Sequence, residues 1–491
     1  MTVSDAEMSL RALLDRLHEP ADPEGRDDRL RIEVAGPADP KSVDRARITG
    51  VTLDSRAVVP GSLFCCVVGE RHDAHDFAAA AVESGASALL VERRLPLDVP
   101  QLLVPDVRAA IGPVSSAFSG RPSRSLRVVG ITGTNGKTTT AQFLAAILEH
   151  AGWATDVYGT LTGRFTTPEA PVLQAQLAAS VAAGKRAVVM EVSSHALALH
   201  RVDGTHFEVA VFTNLGQDHL DFHGTEERYF AAKARLFTPE LSERGVVNLD
   251  DVHGRLLADV GSIPTVGYSA AALEGCGSDA AAHWYRWEGR DVRVPLGGEF
   301  NVQNSLAAAV AALELGVSVD DIVGGLATVE PVRGRFERVD AGQPFDVVVD
   351  FAHTPDGLRL LLEAARRVVG DGRVIVAFGC GGDRDRTKRP LMGAIAAELA
   401  DHVVVTSDNP RSEDPEAIIA SIIEGVPAEY RRVVTSNPDR RAGIAAALAV
   451  ARPGDLVVVA GKGHETTQTT GATTVPFDDR DVVRELLENA T

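Results

Sequence analysis

The chain has 491 residues, of which 45% are hydrophobic and 24% charged, and carries a formal net charge of -19. That length points to two to four domains with ordinary packed cores. The acidity argues against a general nucleic-acid binder, because phosphate backbones attract basic surfaces.

The N-terminal "MTVSDAEMSLRALLDRLHEP" has acids early and no unbroken apolar segment, so it does not read as a signal peptide. No apolar run reaches the roughly 18 residues of a membrane helix. Cys65, Cys66, Cys276 and Cys380 lack metal-site spacing and are expected to be reduced thiols. A soluble, cytoplasmic protein without membrane insertion is therefore expected.

In the first block, short strands "SLFCCVV" (62–68) and "ASALLVE" (86–92) flank the helical "HDFAAAAVESG", giving a small α/β domain over 1–122. A linker-like "FSGRPSRSLR" (118–127) follows it. The second block, 123–339, opens with strand "LRVVGIT" (126–132), a glycine turn and a helix that ends at Gly152. Strands "RAVVMEV" (186–192), "VAVFTNL" (209–215) and "RGVVNLD" (244–250) alternate with helices. Continuous Val-rich strands of this kind form parallel sheets covered on both faces. The third block, 340–491, repeats the pattern with strands at 345–352, 373–379, 401–408, 431–436 and 455–461. Ligands of doubly wound sheets bind beyond the carboxyl ends of the strands. There this block carries "GCGGDRDRTKR", "SDNPR" and "GKGHE".

"GITGTNGKTTT" (130–140) has the context of a phosphate loop but not Walker A spacing, because Ile131 stands where glycine is required. Glycines at 130, 133 and 136 let backbone amides approach phosphate oxygens, and Lys137 adds a charge at a helix N-terminus. Thr138 has the position of a Mg²⁺-binding hydroxyl, and Glu191, at the end of "VVMEV", is a hard-oxygen candidate or a helix cap. His195 reads as a metal ligand or a residue of a helix start, the latter being favoured. In "EERYFAAKARLF", Lys233 falls on the face of Tyr229, Phe230, Leu236 and Phe237. Either its stem snorkels or its amine is buried with a partner. Asn301 and Asn304 open a helix, where they cap it or read a base. Arg333 and Arg335 lie beside an apparent hinge.

In order, "VTLDSRAVVPGSLF", "GITGTNGKTTT", "TTPE", "MEVSSHAL", "TNLGQDHLDFHG", "AAKARLF", "GEFNVQNSLAA", "GRFERV", "VDFAHTPDGL", "GCGGDRDRTKRPLMG", "TSDNPRSEDP", "GKGHE" and "PFDDR" resemble the Mur ligase family. The resemblance spans nearly the whole chain. It implies a UDP-binding N-terminal domain, a central ATPase-like domain and a Rossmann-like domain that receives an amino acid. It also implies an ATP-dependent ligase of peptidoglycan precursor synthesis, working on small molecules through an acyl phosphate; a monomer is expected. The member it most resembles adds the third stem-peptide residue to UDP-N-acetylmuramoyl-L-alanyl-D-glutamate.

The resemblance implies that Gly133, Thr134, Asn135, Gly136, Lys137, Thr138, Thr139, Asn301, Arg335, Asp350 and His353 meet ATP. Thr138, Glu191, His219 and Lys233 match the metal-site positions, with Lys233 carbamylated by CO₂ so that an anion faces Mg²⁺. Catalytic roles fall on Lys137, Glu191, His219 and Lys233. Ser55, Thr166, Thr167, Ser193 and Arg201 match UDP-sugar-peptide contacts. Arg384, Asp408, Asn409, Pro410, Arg411, Gly461 and Glu465 match the acceptor site. "DNPR" is similar to enzymes that add meso-diaminopimelate, whose distal carboxylate Arg411 can grip bidentately. Departures from the family pattern are Ser62, Leu199, Phe351 and a short stretch between Gly159 and Thr166. The alternatives are ligation of L-lysine, a polyglutamate- or cyanophycin-type ligase, and a non-catalytic nucleotide binder.

Overall fold

The structure is a computed structural model that describes residues 7–19, 31–35, 41–69, 72–163 and 165–489. Residues 1–6 and 20 of the N-terminal segment, and Arg164 of the short 159–166 stretch, lie outside the described residues.

Three sheets follow one another along the chain, as expected. The first runs in the order Glu33–Ala35, Gln101–Leu103, Ala88–Val91, Ser62–Cys65, Gly50–Thr52, parallel except for its outermost pair. The second is wholly parallel: Thr265–Tyr268, Ser242–Asn248, Phe207–Phe212, Arg127–Thr132, Ala187–Glu191, Thr155–Tyr158. The strand leading into the glycine loop is central in it, so the loop emerges between the ends of two neighbours. Every residue of Ala187–Glu191 is buried, which is why these strands read as unbroken apolar runs.

The third sheet runs Glu337–Arg338, Asp346–Asp350, Leu456–Ala460, Val374–Phe378, His402–Thr406, Val434–Asn437, with only the first pair antiparallel. Its edge strand begins at Glu337, ahead of the expected boundary at 340. The strand expected over 431–436 starts later, because Ala428–Val433 forms a 3₁₀ helix after Pro427.

Two antiparallel pieces escape the parallel pattern. Glu274–Ser278, His283–Trp287 and Arg290–Val294 form a three-stranded sheet, and Thr467–Thr470 pairs with Thr473–Pro476. Glu288 and Gly289 turn the first hairpin with φ of 48° and 71°, the backbone of a two-residue loop. Among the described residues no helix is long and apolar enough to cross a membrane.

Candidate active site

Gly133 and Gly136 have φ of 148° and 85°. A Cβ at Gly133 would lie 1.9 Å from Thr213 Oγ1, and one at Gly136 would lie 2.3 Å from Asn304 Oδ1. Both positions exclude a side chain on conformation and on space. Thr213 and Asn214 grip the loop from the neighbouring strand. Thr213 Oγ1 donates to the Asn135 carbonyl at 2.6 Å, and the Asn135 amide donates to Asn214 Oδ1 at 3.0 Å. Thr134 is spent on structure, its hydroxyl 3.0 Å from Tyr229 Oη. Helix Lys137–His150 follows, so the first-turn amides around Lys137, Thr138 and Thr139 have no intrahelical partners and face the loop opening.

Thr138 Oγ1 donates to Glu191 Oε2 at 3.0 Å and accepts from Arg335 Nη2 at 3.1 Å. Glu191 is buried, and its other partners are the Thr160 amide at 2.8 Å and the Thr160 hydroxyl at 3.2 Å. Among the described residues, every hydrogen bond to this carboxylate therefore comes from a neutral group. A hard divalent cation fits there, with a hydroxyl and a carboxylate already adjacent. A helix-cap role for Glu191 is excluded, since Ser193 caps helix Ser194–Ala198 by accepting from Ala196.

Lys233 is 1% exposed, which rules out snorkelling. Its Nζ donates to the Gly133 carbonyl at 2.8 Å, and Lys137 Nζ donates to the same oxygen at 2.9 Å. Burial holds the Lys233 amine well below the usual lysine range, and the Lys137 charge lowers it further. The Tyr229 ring centroid lies 4.5 Å from Nζ. No carboxylate bonds it among the described residues. A neutral, buried amine is the state that CO₂ attack requires, so Lys233 fits a carbamate.

His219 has φ of 53°, and its Nε2 lies 3.3 Å from Asp218 Oδ2. Among the described residues it makes no hydrogen bond to Thr138, Glu191 or Lys233. No three His, Cys, Asp or Glu side chains converge to hold a metal among the described residues. The expected set supplies only two of those types. His195 lies in the first turn of Ser194–Ala198, with its ring 4.6 Å from that of His219.

Asn301 and Asn304 do not cap. Helix Phe300–Glu314 has no side-chain cap, Asn301 Nδ2 donates to Gly297 at 2.7 Å, and Asn304 Nδ2 donates to Asn301 at 2.9 Å. The pair instead packs Asn304 against Gly136. Asp350 has both oxygens occupied, by the Phe336 and Ala352 amides, each at 2.7 Å. It therefore holds the backbone beside Arg335, while burial raises its pKa against the pull of that arginine. His353 is backed by Lys388, which donates to its carbonyl at 2.8 Å. The Phe351 ring lies beneath the Arg335 guanidinium and against His353 and His464.

Thr166, Thr167, Ser193 and Arg201 come together. Thr167 Oγ1 accepts from the Ser193 amide at 3.0 Å, Arg201 Nη1 donates to the Thr167 carbonyl at 3.3 Å, and Thr166 Oγ1 is 3.0 Å from Thr160 Oγ1. Arg201 is also paired with Glu169. Ser55 lies apart, on the 3₁₀ helix Ser55–Ala57 of the first domain.

In the third domain, Asp408, Asn409, Pro410 and Arg411 follow strand His402–Thr406, and Gly461 and Glu465 follow Leu456–Ala460. Gly461 has φ of 112°, and a Cβ there would lie 2.8 Å from Asp408 Oδ2. Asn409 Nδ2 donates to Glu465 Oε2 at 2.7 Å. Arg411 Nη1 donates to the Gly382 carbonyl at 2.6 Å, and its Nε and Nη2 have no hydrogen bond among the described residues. Arg384 is exposed on the adjoining loop.

The chain matches the Mur ligase middle domain over residues 131–312, the Mur ligase glutamate ligase domain over 334–463, and the catalytic domain of the Mur ligase family over 47–118. It is 46% identical over 472 residues to UDP-N-acetylmuramoyl-L-alanyl-D-glutamate--2,6-diaminopimelate ligase of Streptomyces coelicolor, covering 90% of this chain and 93% of the relative. The enzyme of that name from Geobacillus kaustophilus is 44% identical over 467 residues, covering 89% and 94%. The chain belongs to the Mur ligase family. A solved structure of a UDP-N-acetylmuramoyl-L-alanyl-D-glutamate--2,6-diaminopimelate ligase superposes with a TM-score of 0.66 at 34% identity, covering 91% of this chain and 96% of that one. The MurF ligase of Thermotoga maritima, solved with ADP, shares the fold with a TM-score of 0.62 at 21% identity, covering 90% and 97%.

Three groups of this Mur ligase site went unread in the sequence. Thr160 orients Glu191 from the short stretch after Gly159. Asp218 faces His219, His353 and Lys388, whose charges outweigh the effect of its burial and lower its pKa. Lys462, inside "GKGHE", is fully buried and bonded to Glu465. Only the Asp-His pair at 218–219 had a sequence signal, an acid beside a histidine after a strand.

Proposed function

We propose that this Mur ligase adds meso-2,6-diaminopimelate to UDP-N-acetylmuramoyl-L-alanyl-D-glutamate, with ATP cleaved to ADP and phosphate. The observation that carries the reading is the pairing of a lysine-bearing phosphate loop with an Arg411 edge left unbonded on the facing domain. Similarity to relatives named for this reaction supports the choice of acceptor.

The first-turn amides after Gly136 and the Lys137 ammonium bind the phosphates and stabilise charge as the γ-phosphoryl group moves to the glutamyl carboxylate. Arg335, beside the backbone that Asp350 holds, approaches the same oxygens from the segment that leads into the third sheet. Mg²⁺ bound by Thr138 and Glu191 would neutralise phosphate charge, with His219 and a carbamate on Lys233 as the further ligands. Thr166, Thr167, Ser193 and Arg201 hold the sugar-peptide so that its carboxylate faces the loop, and Ser55 contributes from the first domain. The acceptor amine then attacks the acyl phosphate carbon, an amide forms, and phosphate leaves with one carboxylate oxygen. Most of the rate comes from positioning and electrostatics.

Arg411 and Arg384 grip the distal carboxylate of the acceptor, while Glu465 takes the distal ammonium. L-lysine lacks that carboxylate, and this disfavours the lysine-adding alternative. The protein acts as a cytoplasmic monomer in this reading. An amino-acid panel with purified enzyme tests it: ADP release should require both the UDP-dipeptide and meso-diaminopimelate. Equal turnover with L-lysine would refute the acceptor assignment.

A further inference from the structure

The hairpin Thr467–Thr470 with Thr473–Pro476 buries almost nothing, since its second strand is exposed throughout and its residues are mostly threonine. A two-stranded hairpin without a packed face is marginal by itself. Its hydrogen bonds run instead to the acceptor loop. Gln468 Nε2 donates to the Asp408 carbonyl at 2.7 Å, and the Thr469 amide donates to Asn409 Oδ1 at 2.9 Å. The Arg411 amide donates to the Thr469 carbonyl at 3.0 Å, and the Gly471 amide donates back to the Arg411 carbonyl. Arg411 has φ of 52°, a conformation a non-glycine residue seldom adopts and that persists only where its surroundings enforce it.

At the base of the hairpin lies Lys462, without solvent exposure. Its Nζ donates to the Thr467 carbonyl at 2.6 Å and to Glu465 Oε2 at 3.1 Å. Asn409 closes the circuit by donating to the same Glu465 oxygen at 2.7 Å. One network therefore sets both Glu465 and Arg411, two groups of opposite charge. We propose that the hairpin, acting through Gln468 and Lys462, is the positioning device that selects an acceptor bearing an ammonium and a carboxylate at its distal end. The proposal rests on the acceptor-site reading above. A bidentate guanidinium grip tolerates little displacement, so loosening the loop weakens the carboxylate contact before the ammonium contact.

The test is steady-state kinetics of Gln468→Ala and Lys462→Met in the full-length enzyme, with meso-diaminopimelate and L-lysine as acceptors. Gln468→Ala should raise the KM for meso-diaminopimelate about tenfold, the scale of one lost hydrogen bond at a charged site. The KM for ATP should stay unchanged, and the ratio of kcat/KM between the two acceptors should fall by a similar factor. Lys462→Met should shift the same ratio further. A wild-type preference that survives intact in both variants, or an equal loss with both acceptors, overturns the hairpin's role alone. A wild-type enzyme without preference overturns the acceptor reading together with it.

Discussion

Lys233 on the phosphate side and Lys462 on the acceptor side are both almost without solvent exposure, yet they are held in opposite ways. Lys233 bonds one carbonyl oxygen, shares it with Lys137, and meets no carboxylate among the described residues. Lys462 bonds the Glu465 carboxylate and two further oxygens. The same contrast runs through the neighbours. Arg335 on the phosphate side donates to a hydroxyl, whereas Arg440 behind the acceptor loops makes a two-point pair with Asp479 at 2.7 Å. Behind the acceptor loops, Lys462 and Arg440 are paired with carboxylates before substrate arrives, while Arg411, among the described residues, keeps a free edge toward it. On the phosphate side, among the described residues, Lys233 has no carboxylate partner and Glu191 is bonded by neutral groups.

The largest effect should come from removing the mobile charge of the incomplete side. Lys137→Ala is expected to lower kcat about 10³-fold in an ADP-release assay, the upper range for one lost stabilising donor. The KM for the acceptor should stay the same.

Lys233→Ala should lose roughly 10²-fold in activity and regain part of it with added short carboxylic acids, which can stand in for the carbamate. Lys462→Ala should gain nothing from them, because its role is not to carry an anion. Full activity of Lys233→Ala without additives would break the contrast.

Stability should move the other way. Arg440→Ala leaves Asp479 buried and unpaired and should cost about 3–5 kcal/mol in urea unfolding. Lys233→Met, in CO₂-free buffer at neutral pH, should be neutral or stabilising, since it removes an amine that burial disfavours. Comparable losses in both variants would show that the two sides are balanced alike.

The smallest effect is a pH slope shared by both sides. Burial is the first cause that holds His223, near the phosphate loop, and His464, in the acceptor loop, at about 4, below the ordinary 6.5. The unfolded chain binds more protons between those values, so this stability is complete above about pH 6.5 and is lost as pH falls toward 4. His464→Gln should flatten the urea midpoint against pH in that window, and a slope identical to wild type would contradict the cause.

The parallel sheets were legible because buried strands are continuous Val-rich runs, and their ends pointed to the loops that carry chemistry. Lys233 was legible as a lysine on an apolar face, but not its lack of a carboxylate, which depends on what packs across from helix Glu226–Ala234. Asn304 against Gly136 shows the same limit, since capping and packing give the same residue at a helix start. Thr160 and Lys462 were invisible because their meaning lies in hydrogen bonds between segments distant in sequence. The "TTGATT" turn did carry a signal, a glycine between two polar strands, although nothing in it told where its bonds would go.

In the proposed reaction, ATP held at the loop of Gly133, Gly136 and Lys137 phosphorylates a carboxylate before the amide forms. This step is tested most directly by labelling the glutamyl carboxylate of the UDP-dipeptide with ¹⁸O and running one complete turnover with meso-diaminopimelate. One labelled oxygen should appear in each inorganic phosphate released, as acyl phosphate chemistry requires. Unlabelled phosphate alongside normal amide formation would contradict the account.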